Sequence, residues 1–113
     1  MSFLTNIFGR KKDYSDSIKV LNKSAFSSAI SNKKVQLIDV RTPNEFTNGH
    51  IGNAVNVDFF KSATFVSYFE KLDISKPVYL YCRSGARSRK AAHKLVDMGF
   101  KEIYDLQGGY SKW

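Results

Sequence analysis

The sequence predicts a single α/β domain, built on a mostly parallel sheet with helices on both faces. Short apolar runs rich in β-branched and aromatic residues alternate with amphipathic helical patterns, which is typical of this class. The chain has 113 residues, enough for one domain. Its 42% hydrophobic and 14% aromatic content is sufficient for one core without metals or disulfides.

Five segments have the composition of buried strands and are bounded by turn residues. Four of them are strong candidates and one is weaker. The strong ones are residues 35–40, 54–57, 78–81 and 102–106, and the weaker one is residues 18–21.

Helical patterns occupy the intervals between these segments. The second predicted helix, residues 43–48, has a clear N-terminal signal. Thr42 can cap it, Pro43 suits the first helical position, and Thr42 with Glu45 comes close to the capping-box pattern. Gly99 is expected to end the last helix as a C-cap. The predicted helices are residues 24–30, 43–48, 63–72 and 87–98.

Residues 1–15 are interpreted as an N-terminal leader that precedes a domain spanning residues 16–113. The apolar side chains of the leader share one face of a helix, so the segment could pack on the domain as a short helix or dock on a membrane surface or partner. In the leader the basic residues follow the apolar ones, which is the reverse of the order in a secretory signal. No apolar stretch of the sequence is long enough to span a membrane. The apolar residues are Phe3, Leu4, Ile7 and Phe8.

The charge and cysteine content exclude several classes of protein. The net charge of +8 comes from 18 basic and 10 acidic residues, but the basic residues are spread along the chain, which disfavours a nucleic-acid binder. One cysteine cannot form an intrachain disulfide or a cysteine-only metal cluster, and no metal site is predicted. A single free thiol suits a reducing compartment, so a cytoplasmic location is expected.

The one cysteine, Cys82, follows the predicted strand 78–81 directly. Active sites of open α/β sheets gather at the carboxyl ends of strands. Arg83 and Arg87 flank the start of a predicted helix, and both a helix N-terminus and arginine side chains favour the thiolate, which is the reactive form. This position indicates a nucleophile rather than a structural cysteine.

The residues after the cysteine are suited to bind an anion. Gly85 permits a sharp turn, and Ser84 and Ala86 are small, so successive amide N–H groups could point inward as an anion-binding nest. We expect these amides to face Cys82 and the thiol to be open to water. The alternative, a small apolar cysteine beside an exposed basic helix face, is less favoured by the combination of features.

Three segments together resemble a single-domain rhodanese of the thiosulfate sulfurtransferase family. They are LIDVRTPNEFTNGHIGNAVNV (residues 37–57), VYLYCRSGARS (residues 78–88) and GFKEIYDLQGGYSKW (residues 99–113). The resemblance covers about half of the chain, in the family's order and spacing. It implies the rhodanese-like fold, a central five-stranded parallel sheet with helices on both faces.

The resemblance also implies a ping-pong reaction without a metal or organic cofactor. Cys82 would take a sulfane sulfur from thiosulfate or a persulfide donor and pass it to a thiol or cyanide. The loop amides would hold the terminal sulfur, and the arginines would attract the small anionic donor. The implied substrate-binding residues are Arg83, Ser84, Gly85, Ala86, Arg87 and Ser88. Asp39, Arg41, Glu45 and His50 are expected to be structural, tying loops together by charged hydrogen bonds.

Two alternatives remain open. Cysteine phosphatases use a similar loop but with the pattern Cys-x5-Arg, commonly with His before the Cys. Here Arg87 lies one position too early and Tyr81 precedes the cysteine, so the ring is sized for a sulfur atom rather than a phosphate. The other alternative is a persulfide relay or docking module that serves a partner enzyme, with a protein as the persulfide donor.

Overall fold

The computed structural model describes residues 13–32 and 34–113, and these form one five-stranded sheet. The strands lie in the order β1-β5-β4-β2-β3, and every neighbouring pair is parallel. The predicted α/β class and the parallel five-stranded sheet are therefore confirmed. The strands are β1 (Ile18–Leu21), β2 (Gln36–Asp39), β3 (Val55–Asn56), β4 (Val78–Tyr81) and β5 (Ile103–Leu106).

All five strand predictions are confirmed within one or two residues at each end, including the weaker residues 18–21, which pair with β5. The four helices also lie where the sequence predicts them, with ends that differ by one or two residues. They are α1 (Lys23–Ile30), α2 (Pro43–Thr47), α3 (Ser62–Glu70) and α4 (Ala86–Asp97). Short 3₁₀ turns occupy Tyr14–Asp16 and Tyr110–Lys112.

The two faces of the sheet carry separate apolar clusters. Alternate residues of a strand point to opposite faces, so β4 directs Leu80 and Cys82 to one face and Tyr81 to the other. On the first face Leu80 and Cys82 join a cluster with Phe65 of α3 and side chains of α4. On the second face Tyr81 joins Phe26 of α1. The helices therefore cover both faces, as predicted.

The strand order brings the end of β4 to the centre of the carboxyl edge. After β2 the chain moves outward to β3, and then returns to place β4 between β2 and β5. The loops that follow β2, β4 and β5 therefore meet at one edge, which is where open α/β sheets bind ligands.

The ends of two helices follow from local sequence signals. Thr42 and Glu45 form the expected capping box at the start of α2. At the end of α4 the C-cap is Met98, and Gly99 follows it with φ +105°. The prediction of Gly99 as the C-cap is thus wrong by one residue. The amides of Gly99 and Phe100 donate to the carbonyls of Val96 and Leu95, each at 3.0 Å. This is a Schellman motif, whose left-handed position glycine fills.

At the start of the described chain, the ring of Tyr14 stacks on His93 of α4 with centroids 4.3 Å apart. The predicted leader thus has at least one residue in contact with the domain. The predicted helical face of Phe3, Leu4, Ile7 and Phe8 lies outside the described residues. Across residues 13–32 and 34–113, none of the helices has both the length and the apolar character needed to cross a membrane.

Candidate active site

The loop after β4 folds back so that one of its amides points at the cysteine sulfur. Gly85 has φ +115°, a left-handed conformation that favours glycine, and α4 begins at the next residue. The N–H of Gly85 donates to Cys82 Sγ at 3.0 Å. Cys82 Sγ also lies 3.4 Å from Ser88 Oγ. Of the successive amides expected to point inward, the amide of Gly85 is the one hydrogen-bonded to the sulfur. The sulfur lies at the N-terminus of α4, where negative charge is stabilised.

The expectation that the thiol is open to water is wrong for this conformation. Cys82 is only 1% exposed. Because it continues the alternation of β4, its side chain points to the same face as Leu80 and enters the core cluster beneath α4. The sulfur is therefore enclosed between the core cluster and the loop.

The chain after β5 fixes the backbone of the cysteine loop. The amide of Tyr110 donates to the carbonyl of Cys82 at 2.8 Å, and the amide of Ser111 donates to the carbonyl of Arg83 at 2.9 Å. Gly109, with φ +63°, lies so close that a Cβ atom would be 2.6 Å from the backbone of Cys82 and Arg83. The second glycine of the Gly108-Gly109 pair is therefore required for this close approach.

Arg87 is tied to the capping box of α2. Its guanidinium makes a bidentate ion pair with Glu45, with N to O distances of 2.8 and 2.9 Å. This hydrogen bonding lowers the pKa of Glu45 to about 2, against the opposing effect of burial, and it raises the pKa of Arg87. The structural role predicted for Glu45 is confirmed, and its carboxylate offsets the charge of Arg87.

A second ion pair, between Arg41 and Asp39, is buried, whereas the first is partly exposed. Arg41, 3% exposed, binds the carboxylate of Asp39 with its Nη2 2.7 Å from Oδ2, and it also donates to the carbonyl of Gly49 at 2.7 Å. Its guanidinium lies over the ring of Tyr110, 4.3 Å from the centroid. Asp39 and Arg41 are thus structural, as predicted. His50 is exposed, stacks on Phe46 and bonds its carbonyl.

A pocket of about 260 Å³ adjoins the loop at Arg83, and Cys82 is not among its lining residues. Among the arginines in its wall, Arg41 is paired with Asp39, whereas Arg83 is exposed and makes no ion pair within the part of the chain that the structure describes. Arg83 is therefore the unneutralised cation of the pocket. The lining residues are Arg41, Glu45, Asn48, Arg83, Tyr110 and Ser111.

The remaining residues of the predicted loop have different surroundings. Ser84 and Ala86 are exposed on its rim. Ser88 is completely buried and its hydroxyl contacts the sulfur from the side of the core. Of the predicted loop residues, Gly85 and Ser88 therefore contact the Cys82 sulfur in this structure.

Four residues near the site were missed by the sequence analysis. Asn48, Tyr110 and Ser111 line the pocket, and Asp105 of β5 is a buried carboxyl close to Ser88. The signal available for Asp105 was an acidic residue inside an apolar strand. For Tyr110 and Ser111 it was the Gly-Gly pair before them, since adjacent glycines indicate a close backbone approach.

Sequence comparison agrees with this geometry. The sequence model of the Rhodanese-like domain matches residues 22–113. The chain belongs to the rhodanese-like family. It is 35% identical over 97 residues to thiosulfate sulfurtransferase GlpE of Shewanella oneidensis, covering 86% of this chain and 93% of that protein. It is 42% identical over 96 residues to the uncharacterized protein YqhL of Bacillus subtilis, covering 85% and 72% of the two chains.

Solved structures of other proteins superpose on this fold. A rhodanese-like domain protein from Staphylococcus aureus superposes with a TM-score of 0.72 at 26% identity, covering 84% of this chain and 90% of that one. Protein RPA3614 of Rhodopseudomonas palustris, described as a possible tyrosine phosphatase, gives a TM-score of 0.71 at 25% identity, covering 88% and 82%. The fold is therefore shared with a protein for which phosphatase activity has been considered.

Proposed function

We propose that the protein is a sulfurtransferase that carries a sulfane sulfur as a persulfide on Cys82. The observation that carries the proposal is the 3.0 Å contact of the Gly85 amide with Cys82 Sγ, at the start of α4. This amide and the helix N-terminus stabilise negative charge on sulfur, both in the thiolate and in the persulfide that replaces it. The family membership and the resemblance to thiosulfate sulfurtransferase GlpE support the same assignment.

The reaction has two balanced steps. The Cys82 thiolate attacks the outer sulfur of thiosulfate, a new S–S bond forms, and sulfite leaves with the electron pair of the bond that breaks. Cyanide or a thiolate then attacks the terminal sulfur of the persulfide and returns the electron pair to Cys82. Because Cys82 is the single cysteine of the chain, the second step requires an acceptor from outside the chain.

Arg83 is the residue proposed to attract the anionic donor. The guanidinium of Arg87 is held by Glu45 and that of Arg41 by Asp39, so each faces a compensating carboxylate. Arg83 is exposed in the wall of the pocket without such a partner in the described chain. An anion entering the pocket would therefore meet its strongest net attraction at Arg83.

The proposal is tested by incubating the protein with thiosulfate and cyanide and following thiocyanate. Turnover that disappears in Cys82→Ala supports the proposal. Intact mass after thiosulfate alone should show one added sulfur atom at Cys82. Absence of both turnover and the added sulfur, with the thiol still titratable in the unfolded protein, would contradict it.

Phosphatase chemistry is less compatible with the same loop. Four residues separate Cys82 from Arg87, one fewer than in cysteine phosphatases, and Arg87 is bound by Glu45 instead of facing an open ring. Cys82 is 1% exposed, so a bulky phosphoester has no direct access to the sulfur in this structure. Hydrolysis of an aryl phosphate, abolished by Cys82→Ser, would reverse this assignment.

A persulfide relay is the second candidate, and the rim of the loop favours it. Phe60 is 66% exposed under the guanidinium of Arg87, 5.4 Å from its ring centroid, and Arg89 and Lys90 are exposed nearby on α4. An apolar ring within basic side chains is a surface that another protein could contact. Negligible turnover of thiosulfate, together with persulfide uptake from a cysteine desulfurase, would favour the relay.

A further inference from the structure

Ser88 places a fully buried hydroxyl against the sulfur of Cys82. It lies in the first turn of α4, is 0% exposed, and its Oγ is 3.4 Å from Cys82 Sγ, which is within hydrogen-bonding range of a sulfur atom. Solvent does not reach this hydroxyl in the structure. Any part that Ser88 takes in the reaction is therefore exerted on the sulfur of Cys82.

Three hydrogen bonds join Cys82, Gly85 and Ser88 in a closed circuit. The amide of Gly85 donates to Cys82 Sγ at 3.0 Å, and the thiol of Cys82 donates to Ser88 Oγ at 3.4 Å. The hydroxyl of Ser88 donates in turn to the carbonyl of Gly85 at 3.2 Å. A thiol and a hydroxyl have one proton each to give, and both protons are used within the circuit. The arrangement therefore belongs to the protein with an uncharged thiol.

The circuit opens when the sulfur no longer carries a proton. In the persulfide of the proposed function, Sγ is bonded to the terminal sulfur atom and has no S–H group to donate. The hydroxyl of Ser88 can then turn from the carbonyl of Gly85 to the sulfur. That carbonyl stays satisfied, because the amide of Arg89 also donates to it, at 3.0 Å. The turn therefore leaves no buried backbone acceptor without a partner.

We propose that Ser88 is a further catalytic residue, whose hydroxyl donates a hydrogen bond to Cys82 Sγ while the persulfide is discharged. The acceptor forms a bond to the terminal sulfur atom, the S–S bond breaks, and its electron pair goes to Sγ, which leaves as the thiolate. Ser88 keeps its proton throughout. The proposal rests on the proposed function for the existence of the persulfide, and it assigns Ser88 to the departing sulfur rather than to the incoming donor.

The hydroxyl adds a second donor to the amide of Gly85 at the atom where negative charge develops. Hydrogen bonds to a charged acceptor are stronger than those between neutral groups. The bond from Ser88 to Sγ therefore strengthens as the S–S bond breaks, and an interaction that is stronger in the transition state than in the ground state lowers the barrier. Both donors are already within range of Sγ in this structure.

The test is a single turnover in which Cys82 is first loaded with one sulfur atom and then discharged by cyanide, with intact mass following the loss of that atom. Ser88→Ala should discharge about tenfold more slowly than the wild type. Ser88→Thr, which keeps the hydroxyl, should recover most of the rate. The control Ser67→Ala, on the exposed side of α3, should discharge at the wild-type rate. Equal rates in Ser88→Ala and the wild type would overturn the proposal.

The infrared S–H stretch of the reduced wild type, in mildly acidic buffer, is a readout that needs neither a variant nor sulfur transfer. The chain has a single thiol, so the band belongs to Cys82 and should lie below the frequency of a thiol without a hydrogen bond. A band at the free-thiol frequency would overturn the circuit. If thiosulfate fails to load Cys82, polysulfide is used instead, and a tenfold slower discharge of Ser88→Ala would then contradict the thiosulfate assignment alone. Thiocyanate production from thiosulfate at equal rates with and without the Ser88 hydroxyl would contradict the role of Ser88 alone.

Discussion

Replacement of Asp105 by Asn should make the fold more stable at high pH and leave it nearly unchanged at low pH. Burial raises the pKa of Asp105 from 3.8 to about 6. A folded-state pKa above the unfolded value contributes stability that is fully present below 3.8 and is lost as pH rises through about 6. The gap corresponds to about 3 kcal/mol, and the 5% exposure of Asp105 leaves little solvent screening to reduce it.

The measurement is urea unfolding of two proteins, Cys82→Ala alone and Cys82→Ala combined with Asp105→Asn. In Cys82→Ala the carboxyl of Asp105 titrates in the absence of the Cys82 thiol. The free energy of unfolding of the Asp105→Asn variant should exceed that of its parent by about 3 kcal/mol at pH 8 and by less than about 1 kcal/mol at pH 4. An equal difference at both pH values, or an Asp105→Asn variant that is less stable at pH 8, would refute the raised pKa and the burial argument behind it.

Three further substitutions test the loop and its supports. Glu45→Gln should lower stability by about 1 kcal/mol at neutral pH, a value reduced for partial exposure of the ion pair. Because the pKa of Glu45 is lowered to about 2, the difference should vanish as pH falls from 4.5 through that value in urea titrations. Arg83→Ala should raise KM for thiosulfate about tenfold with little change in kcat, since an unpaired cation is removed from the pocket. Gly109→Ala should cost about 3 kcal/mol in thermal or urea unfolding, because φ +63° is strained for Ala and its Cβ meets backbone at 2.6 Å.

Each substitution has a control and a contradicting result. Gly52→Ala also has a positive φ but open space around its Cβ, so it should cost less than Gly109→Ala; equal costs would contradict the close-approach argument. Lys61→Ala, an exposed cation at the start of α3, should leave KM unchanged, and an increase equal to that of Arg83→Ala would indicate a general charge effect. A Glu45→Gln difference that persists below pH 2 would contradict the ion-pair linkage.

The order and type of the secondary structure elements were predictable from local patterns. The apolar run of residues 78–81 and the helical pattern of residues 87–98 bracket a short polar loop, so Cys82 at a strand-to-helix junction followed directly. The position of Gly99 was misjudged by one residue, because the end of a helix depends on which carbonyl accepts the last amides. Such signals are local, so the sequence locates each element to within a residue or two.

Charge partners were harder to predict because they depend on which elements become neighbours. The pairing of Arg87 with Glu45 joins residues 42 positions apart, and it exists because β4 inserts beside β2 in the sheet. The same insertion decides which arginine remains unpaired in the pocket. Sequence reasoning treated Arg83 and Arg87 alike, whereas the structure distinguishes them.

The sequence by itself determined the α/β alternation, the family and the position of Cys82 at a strand-to-helix junction, since each depends on residue types at short spacing. Only the tertiary structure decided that the sulfur is buried, that Gly109 packs on the loop from the segment after β5, and that Asp105 is a buried carboxyl near Ser88. The physical reason is that burial and electrostatic environment are set by neighbours across the sheet. Periodicity along the chain does not specify those neighbours.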